Sequence, residues 1–131
     1  MTDASVPPIE VVLLKQVAGY LAMPVFLVDE DGTLAYYNES AEELLGQRYE
    51  ETGQLPLESW GNLWSPTDAD GRPVPPEELP LAVAVRDRRP VQGTVSIRRR
   101  DGADRDLTIT ALPLEAADGS HLGGFAIFWA S

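Results

Sequence analysis

The segment PVFLVDEDGTLAYYNESAEELLG, residues 24–46, frames the reading of the whole chain. Two β-rich runs, Val25 to Asp29 and Thr33 to Tyr37, meet at Asp31-Gly32. An Asp-Gly pair between such runs marks a hairpin, and the expectation is a type I′ turn with positive φ at both central residues. Ser40, with Glu43 three residues on, matches a capping box ahead of a short helix that carries Leu44 and Leu45 and ends near Gly46. The segment therefore reads strand, strand, helix.

Upstream, Ile9, Val12, Leu13, Val17, Tyr20 and Leu21 recur at helical spacing between Pro7-Pro8 and Pro24. Val11, Leu14 and Ala18 add a second apolar flank, so the stripe is wider than one contact needs. Either the helix makes one broad contact with the domain's own sheet, or it serves two partners. In the second case Ile9, Leu13 and Val17 face the sheet, and Val11, Leu14 and Ala18 form a dimerisation surface.

Downstream, residues 48–80 are rich in Pro, Gly and acids, which predicts short helical turns and loops, with Trp60 and Trp64 four residues apart. A helix is expected from Pro80 to Arg89, with Leu81 and Val85 inward and Arg88 and Arg89 complementing its C-terminal dipole. The last third returns to period two in Thr94 to Ile97, Leu107 to Thr110 and Phe125 to Trp129, with Asp101-Gly102 and Asp118-Gly119 in the connections. Three antiparallel strands in a meander follow. The sum is an α+β domain: a five-stranded antiparallel sheet, short helices on one face and the N-terminal amphipathic helix on the other. That helix, residues 1–23, is read as a capping and dimerisation segment, and residues 24–131 as the domain proper. Large residues on both sides of the last strand, Phe125, Ile127 and Trp129 against Ala126 and Phe128, require cover on both faces.

Composition narrows the functional classes. The chain has 131 residues, 44% hydrophobic and 24% charged, which is a single globular domain with material for a core. It has no cysteine, so disulfides, thiolate metal clusters and cysteinyl cofactor adducts are excluded. No apolar run approaches the ~20 residues of a membrane span, and the charged, proline-bearing start is not a signal peptide. A cytoplasmic protein with no membrane partner is expected. The net charge of -11 and pI near 4.3 argue against direct nucleic-acid binding. Seven arginines and three aspartates nevertheless fall between Arg86 and Arg105, which is either a solvated surface or a face that docks an acidic partner.

No catalytic constellation emerges. The acid pairs Glu42-Glu43, Glu50-Glu51 and Glu77-Glu78 are adjacent, so on a helix their members diverge, and no nucleophile accompanies them. Asp68-Ala69-Asp70-Gly71 resembles part of a calcium loop, but Pro66 stands where the first carboxylate is required. Gly123-Gly124 precedes a strand without a lysine and is no phosphate loop. The reading is of a non-enzyme with no metal site.

Three segments together resemble the PAS sensor domains of bacterial histidine kinases and related multidomain regulators. They are residues 24–46, then DGRPVPPEELPLAVAVRDRRPV (70–91) leading into GTVSIRRRDG, then LTITALPLEAADGSHLGGFAIF (107–128). The resemblance implies a sensory or regulatory module of a two-component-type signalling protein. It would act by signal input and homodimerisation, with an effector reached in cis or in trans. It also implies that any ligand sits between the sheet and the helix before the third strand. Alternation of side chains then gives the lining: Val95, Ile97, Leu107, Ile109, Ala126 and Phe128 from the strands, Leu81 and Val85 from the helix, and Trp60 and Trp64 as one wall. These residues either hold a small apolar ligand or fill the core of a ligand-free interaction domain. The cofactor is left unknown. A covalent flavin adduct lacks its cysteine. Haem lacks a histidine on the helix, since the sole histidine, His121, lies beside the last hairpin turn, where an exposed side chain is expected.

Overall fold

The hairpin at the start of the domain and the meander at its end close on each other to make one sheet. The computed structural model describes residues 9–20 and 22–130; Pro7, Pro8 and Leu21 of the expected first helix, and the side chain of Ala18, lie outside the described residues. Helix α1 (Ile9–Tyr20) is followed by strands β1 (Val25–Val28) and β2 (Leu34–Tyr37). The middle holds α2 (Glu39–Leu45), α3 (Tyr49–Thr52), α4 (Leu57–Leu63), a 3-10 turn at Pro76–Glu78 and α5 (Pro80–Asp87). Strands β3 (Val91–Arg98), β4 (Asp104–Glu115) and β5 (His121–Ala130) complete the chain. The strand order is β2-β1-β5-β4-β3 and every pairing is antiparallel, which gives the expected five-stranded α+β fold. Among the described residues no helix is long and apolar enough to cross a membrane.

Four Asp-Gly pairs make the same turn. In each, the glycine N–H donates to the carbonyl three residues back: Gly32 to Asp29, Gly71 to Asp68, Gly102 to Arg99 and Gly119 to Ala116. Only the glycine has positive φ, between 80° and 88°, whereas the preceding aspartate does not. The type I′ turn is therefore not formed. A type I turn followed by a left-handed glycine takes its place, closing a longer loop than the two-residue type I′ connection. The Asp29 carboxylate, at the first position, stabilises the alternative by accepting from the N–H groups of Asp31 and Thr33 at 2.9 and 3.0 Å. Asp68 does the same for Asp70 and Arg72, so the calcium-like stretch is a turn whose first carboxylate serves its own backbone.

The cap of α2 also differs from the expected one. Asn38, not Ser40, is the N-cap: its Oδ1 accepts from Ala41 N at 3.1 Å and from Val25 N at 3.0 Å, while Nδ2 donates to Met23 O at 2.8 Å. The Ser40 hydroxyl instead donates to Ala22 O. Asparagine wins because one amide side chain caps the helix and also ties down the entry to β1. Gly46 ends α2 in the left-handed conformation, as expected.

Strand alternation separates two faces. Phe26 and Val28 of β1 join Val95, Ile97, Leu107, Ala111, Ala126 and Phe128 in the core beneath α4 and α5. Val25 and Leu27, equally buried, point to the other face with their pairing partners Ile127, Phe125 and Tyr36. Helix α1 lies on that second face: Lys15 Nζ sits 6.0 Å from the centre of the Tyr36 ring, and Glu10 accepts from Ala117 N in the β4–β5 turn. Its exposed stripe is the reverse of the expected one. Ile9, Leu13, Val17 and Tyr20 are 64%, 52%, 52% and 90% exposed, whereas Val11 and Leu14 are half-buried.

Gly123 and Gly124 permit the close approach of β5 to its neighbours. A Cβ on Gly123, where φ is 124°, would lie 2.2 Å from Val28 O, and one on Gly124 would lie 2.8 Å from Val85 Cγ2. Pro113 falls inside β4 where β3 no longer pairs with it, so its missing N–H breaks no ladder bond on that side.

Candidate functional site

An apolar cavity of about 80 Å³ lies between the core face of the sheet and the helical middle. Strands β3, β4 and β5 supply Val95 and Ile97, Leu107 and Ile109, and Ala126 and Phe128 in the alternation expected from the sequence. Leu81 comes from α5, and Trp60 from the middle of α4 and Trp64 just beyond its end form one wall. Val85 is the exception among the expected residues. It is buried one turn further along α5 and lines a separate surface groove with Arg86 and His121.

Sequence reasoning missed Phe26, Leu45, Gly61, Pro66, Leu79 and Pro80, which also line the cavity. Phe26 was accessible by alternation with Val28 once the hairpin was drawn. Leu79 and Pro80 begin α5 at the cavity edge, and Pro66 sits in a loop where no periodicity operates. Gly61 is needed for packing: a Cβ there would fall 2.6 Å from Pro76 Cβ, so glycine lets α4 rest on the 3-10 turn.

Aromatic packing fixes the tryptophan wall. Phe26 stacks on Tyr37 with ring centres 5.5 Å apart, Trp60 tilts against Phe26 at 5.0 Å, and Trp64 meets both Phe26 and Tyr37 edge-on near 6 Å. The two indoles differ in hydrogen bonding. Trp60 Nε1 donates to Gly32 O at 2.9 Å, which ties α4 to the hairpin turn, whereas Trp64 Nε1 is buried without an acceptor. Behind them, Tyr37 donates to Gln47 O at 3.0 Å, and burial pushes its phenol up to about 12. No side chain on the cavity wall is charged or carries a hydroxyl.

The arginine-rich run does not make one surface. Arg86, Arg88 and Arg89 stand before β3, whereas Arg98, Arg99 and Arg100 stand at its far end, eight residues of extended chain away. Most are locally engaged: Arg86 and Arg89 with Asp87, Arg98 with Asp104, Arg99 with Asp101. The Arg86 contact holds the Asp87 carboxyl below the usual range. Arg99 also caps α2, donating to Glu43 O at 2.6 Å. His121 departs from the expected exposure, since both its ring nitrogens are buried without partners. Among the described residues no cluster of His, Asp and Glu could hold a metal ion.

Comparison with known proteins agrees with this architecture. A family model described as the PAS fold matches residues 21–130. No curated protein matches the chain. Among solved structures, the chain is similar to the PAS domain of a protein from Colwellia psychrerythraea, at 15% identity and a TM-score of 0.65, covering 93% of this chain and 97% of that one. It is similar also to the PAS domain of the fruit-fly ELK potassium channel, at 9% identity and a TM-score of 0.72, with 92% and 95% covered. A third is a PAS domain from a two-component sensor histidine kinase, at 11% identity and a TM-score of 0.62, with 94% and 97% covered. At these identities the likeness speaks for the fold, and the family match speaks for kinship. With its opening hairpin, helical middle and closing meander, and with that match running from residue 21 to residue 130, the chain belongs to the PAS-fold family.

Proposed function

We propose that the chain is the signal-input and homodimerisation module of a cytoplasmic, two-component-type regulator, with residues 24–131 forming the sensing domain and residues 1–23 its dimerisation segment. PAS domains are signal-sensing and regulatory modules, generally without catalytic activity. The observation that carries the reading is the cavity: strands, α4 and α5 converge on an apolar space bounded by two tryptophans, where a small ligand is desolvated on binding. No step of covalent chemistry is assigned to any residue. The output passes to an effector, in cis or in trans. Freshly purified protein is to be examined by native mass spectrometry and by its absorption spectrum. A co-purifying small molecule of defined mass supports sensing, and a bound haem contradicts the assignment of the site.

For dimerisation the supporting observation is the exposed stripe Ile9, Leu13, Val17 and Tyr20 on α1, an apolar row that the chain's own sheet leaves uncovered. The partner surface moves accordingly from Val11, Leu14 and Ala18 to this stripe. Light scattering across concentration tests it: Ile9→Glu with Leu13→Lys and Val17→Glu is expected to abolish the dimer. A monomeric wild type at high concentration overturns it.

A second reading is favoured by the size of the cavity, which at about 80 Å³ is roughly half of the ~150 Å³ that admits benzene. In this reading the core is filled and the domain works by docking a protein partner. Failure of any small molecule to bind, with a dimer or a complex still formed, favours it.

A further inference from the structure

We propose that Asp70-Gly71 is the first site of spontaneous isoaspartate formation in this chain, a modification that reroutes the main chain through the Asp70 side-chain carboxyl. The inference stands apart from the cavity. The four Asp-Gly turns share one backbone frame but use their carboxylates in two ways. At Asp101-Gly102 and Asp118-Gly119 the aspartate before the glycine is itself the acceptor. Asp101 takes the Ala103 N–H at 3.0 Å and pairs with Arg99 at 3.4 Å, and Asp118 takes the Ser120 N–H at 2.9 Å and its hydroxyl at 2.6 Å. At Asp31-Gly32 and Asp70-Gly71 that duty falls to Asp29 and Asp68, two residues earlier. The Asp31 and Asp70 carboxylates are left without a hydrogen bond or ion pair among the described residues.

Access separates these two. Asp70 and Gly71 are both exposed, and a Cβ on Gly71 would meet nothing within 4 Å, so a ring has room to close. Gly32 is buried beside Leu57, and its carbonyl accepts from Trp60 Nε1 at 2.9 Å, which clamps the backbone that has to move. In the reaction the Gly71 nitrogen attacks Asp70 Cγ. The new C–N bond forms as the C–OH bond of the protonated carboxyl breaks, and the hydroxyl leaves as water with the proton from nitrogen. One water then opens the cyclic imide, and cleavage at the original main-chain carbonyl gives isoaspartate. The net change is an isomerisation, with nothing oxidised or reduced. Each turn has first to open, because every one of the four glycine N–H groups is held by the carbonyl three residues back. What differs is the carboxyl. The Ala103 N–H holds that of Asp101 below the usual range and the Ser120 hydroxyl does so for Asp118, which favours the ionised form that has no hydroxyl to lose.

The full chain is to be aged in mildly acid buffer at physiological temperature, with and without urea, and its tryptic peptides scored for isoaspartate by electron-transfer fragmentation. The Asp-Gly pairs fall in four different peptides. In the folded chain the product is expected first at Asp70, about tenfold faster than at Asp101 or Asp118, the factor that one charge-assisted hydrogen bond supplies. In urea the gap is expected to close. Ser120→Ala, which strips the Asp118 carboxylate of its shortest bond, is expected to raise the rate at Asp118 toward that at Asp70. Asp70→Glu, whose longer side chain has to close a larger ring, is expected to lose the product. Absence of isoaspartate at Asp70 overturns the assignment, as does an equal rate at Asp101 or Asp118 in the folded chain. The same ranking in urea also overturns it, since no turn then remains to impose one.

Discussion

Asn38 Oδ1 accepts the Val25 amide proton at 3.0 Å across thirteen residues, so the side chain that starts α2 also fixes the first residue of β1. The same amide reaches Met23 O through Nδ2. Asn38→Ala leaves these backbone groups without the side chain and is expected to cost about 3 kcal/mol, from the lost cap and from buried groups left unpaired. Asn38→Asp keeps the acceptor, loses the donor and is expected to fall between. Urea unfolding measures both, and a loss under about 1 kcal/mol for the alanine variant contradicts the role.

Arg99 ties the β3–β4 turn to the end of α2 through the Glu43 carbonyl, with its side chain packed over Gly46. Arg99→Ala is expected to cost about 1.5 kcal/mol, the scale of a hydrogen bond from a charged donor. Arg98→Ala, which breaks only an exposed pair with Asp104, is expected to cost under about 1 kcal/mol. Equal losses in the two variants refute the distinction.

Two glycines separate backbone strain from steric conflict. Gly71 has positive φ but open space around its Cβ position, so Gly71→Ala is expected to cost about 1 kcal/mol. At Gly123 a Cβ meets Val28 O at 2.2 Å, and Gly123→Ala is expected to cost more than about 3 kcal/mol or to abolish folding. Soluble yield and thermal melting rank the two.

The buried Tyr37 phenol, held up to about 12 against an ordinary 10.0, makes stability fall with alkalinity. Between those values the unfolded chain releases the proton and the folded chain keeps it, so unfolding gains ground as pH rises. Stability from this residue is complete below pH 10.0 and lost through about 12. Tyr49, also raised by burial, acts in the same direction. Urea titrations across that window are expected to show a shallower decline for Tyr37→Phe than for the wild type; an identical slope removes the contribution.

Most of the fold was legible because period-two alternation and Asp-Gly pairs are local signals. They located the five strands, and the same alternation put Val95, Ile97, Leu107, Ile109, Ala126 and Phe128 on one face. What was illegible depended on contacts between distant segments. Asn38 takes the cap from Ser40 because it also reaches Met23 and Val25. Helix α1 shows apolar residues nearly all round, so spacing alone did not say which stripe meets the sheet. The arginine run looked like a patch in one dimension and is divided by the length of β3. Val85 was placed in the cavity from helical spacing, yet α5 turns it toward the groove beside His121.

Thermal shift decides whether the space between the sheet and α4 and α5 is a ligand site or a packing void. A library of small, mostly apolar molecules is to be screened against the wild type and Ala126→Leu, whose added carbons occupy the cavity from β5. At a hundredfold excess over its dissociation constant a ligand stabilises by about 2.7 kcal/mol, a shift of several degrees in a domain of this size. At least one such molecule is expected to raise the wild-type melting temperature and to leave that of the folded Ala126→Leu protein unchanged. Shifts of equal size in both proteins, or none in the wild type, contradict the ligand site.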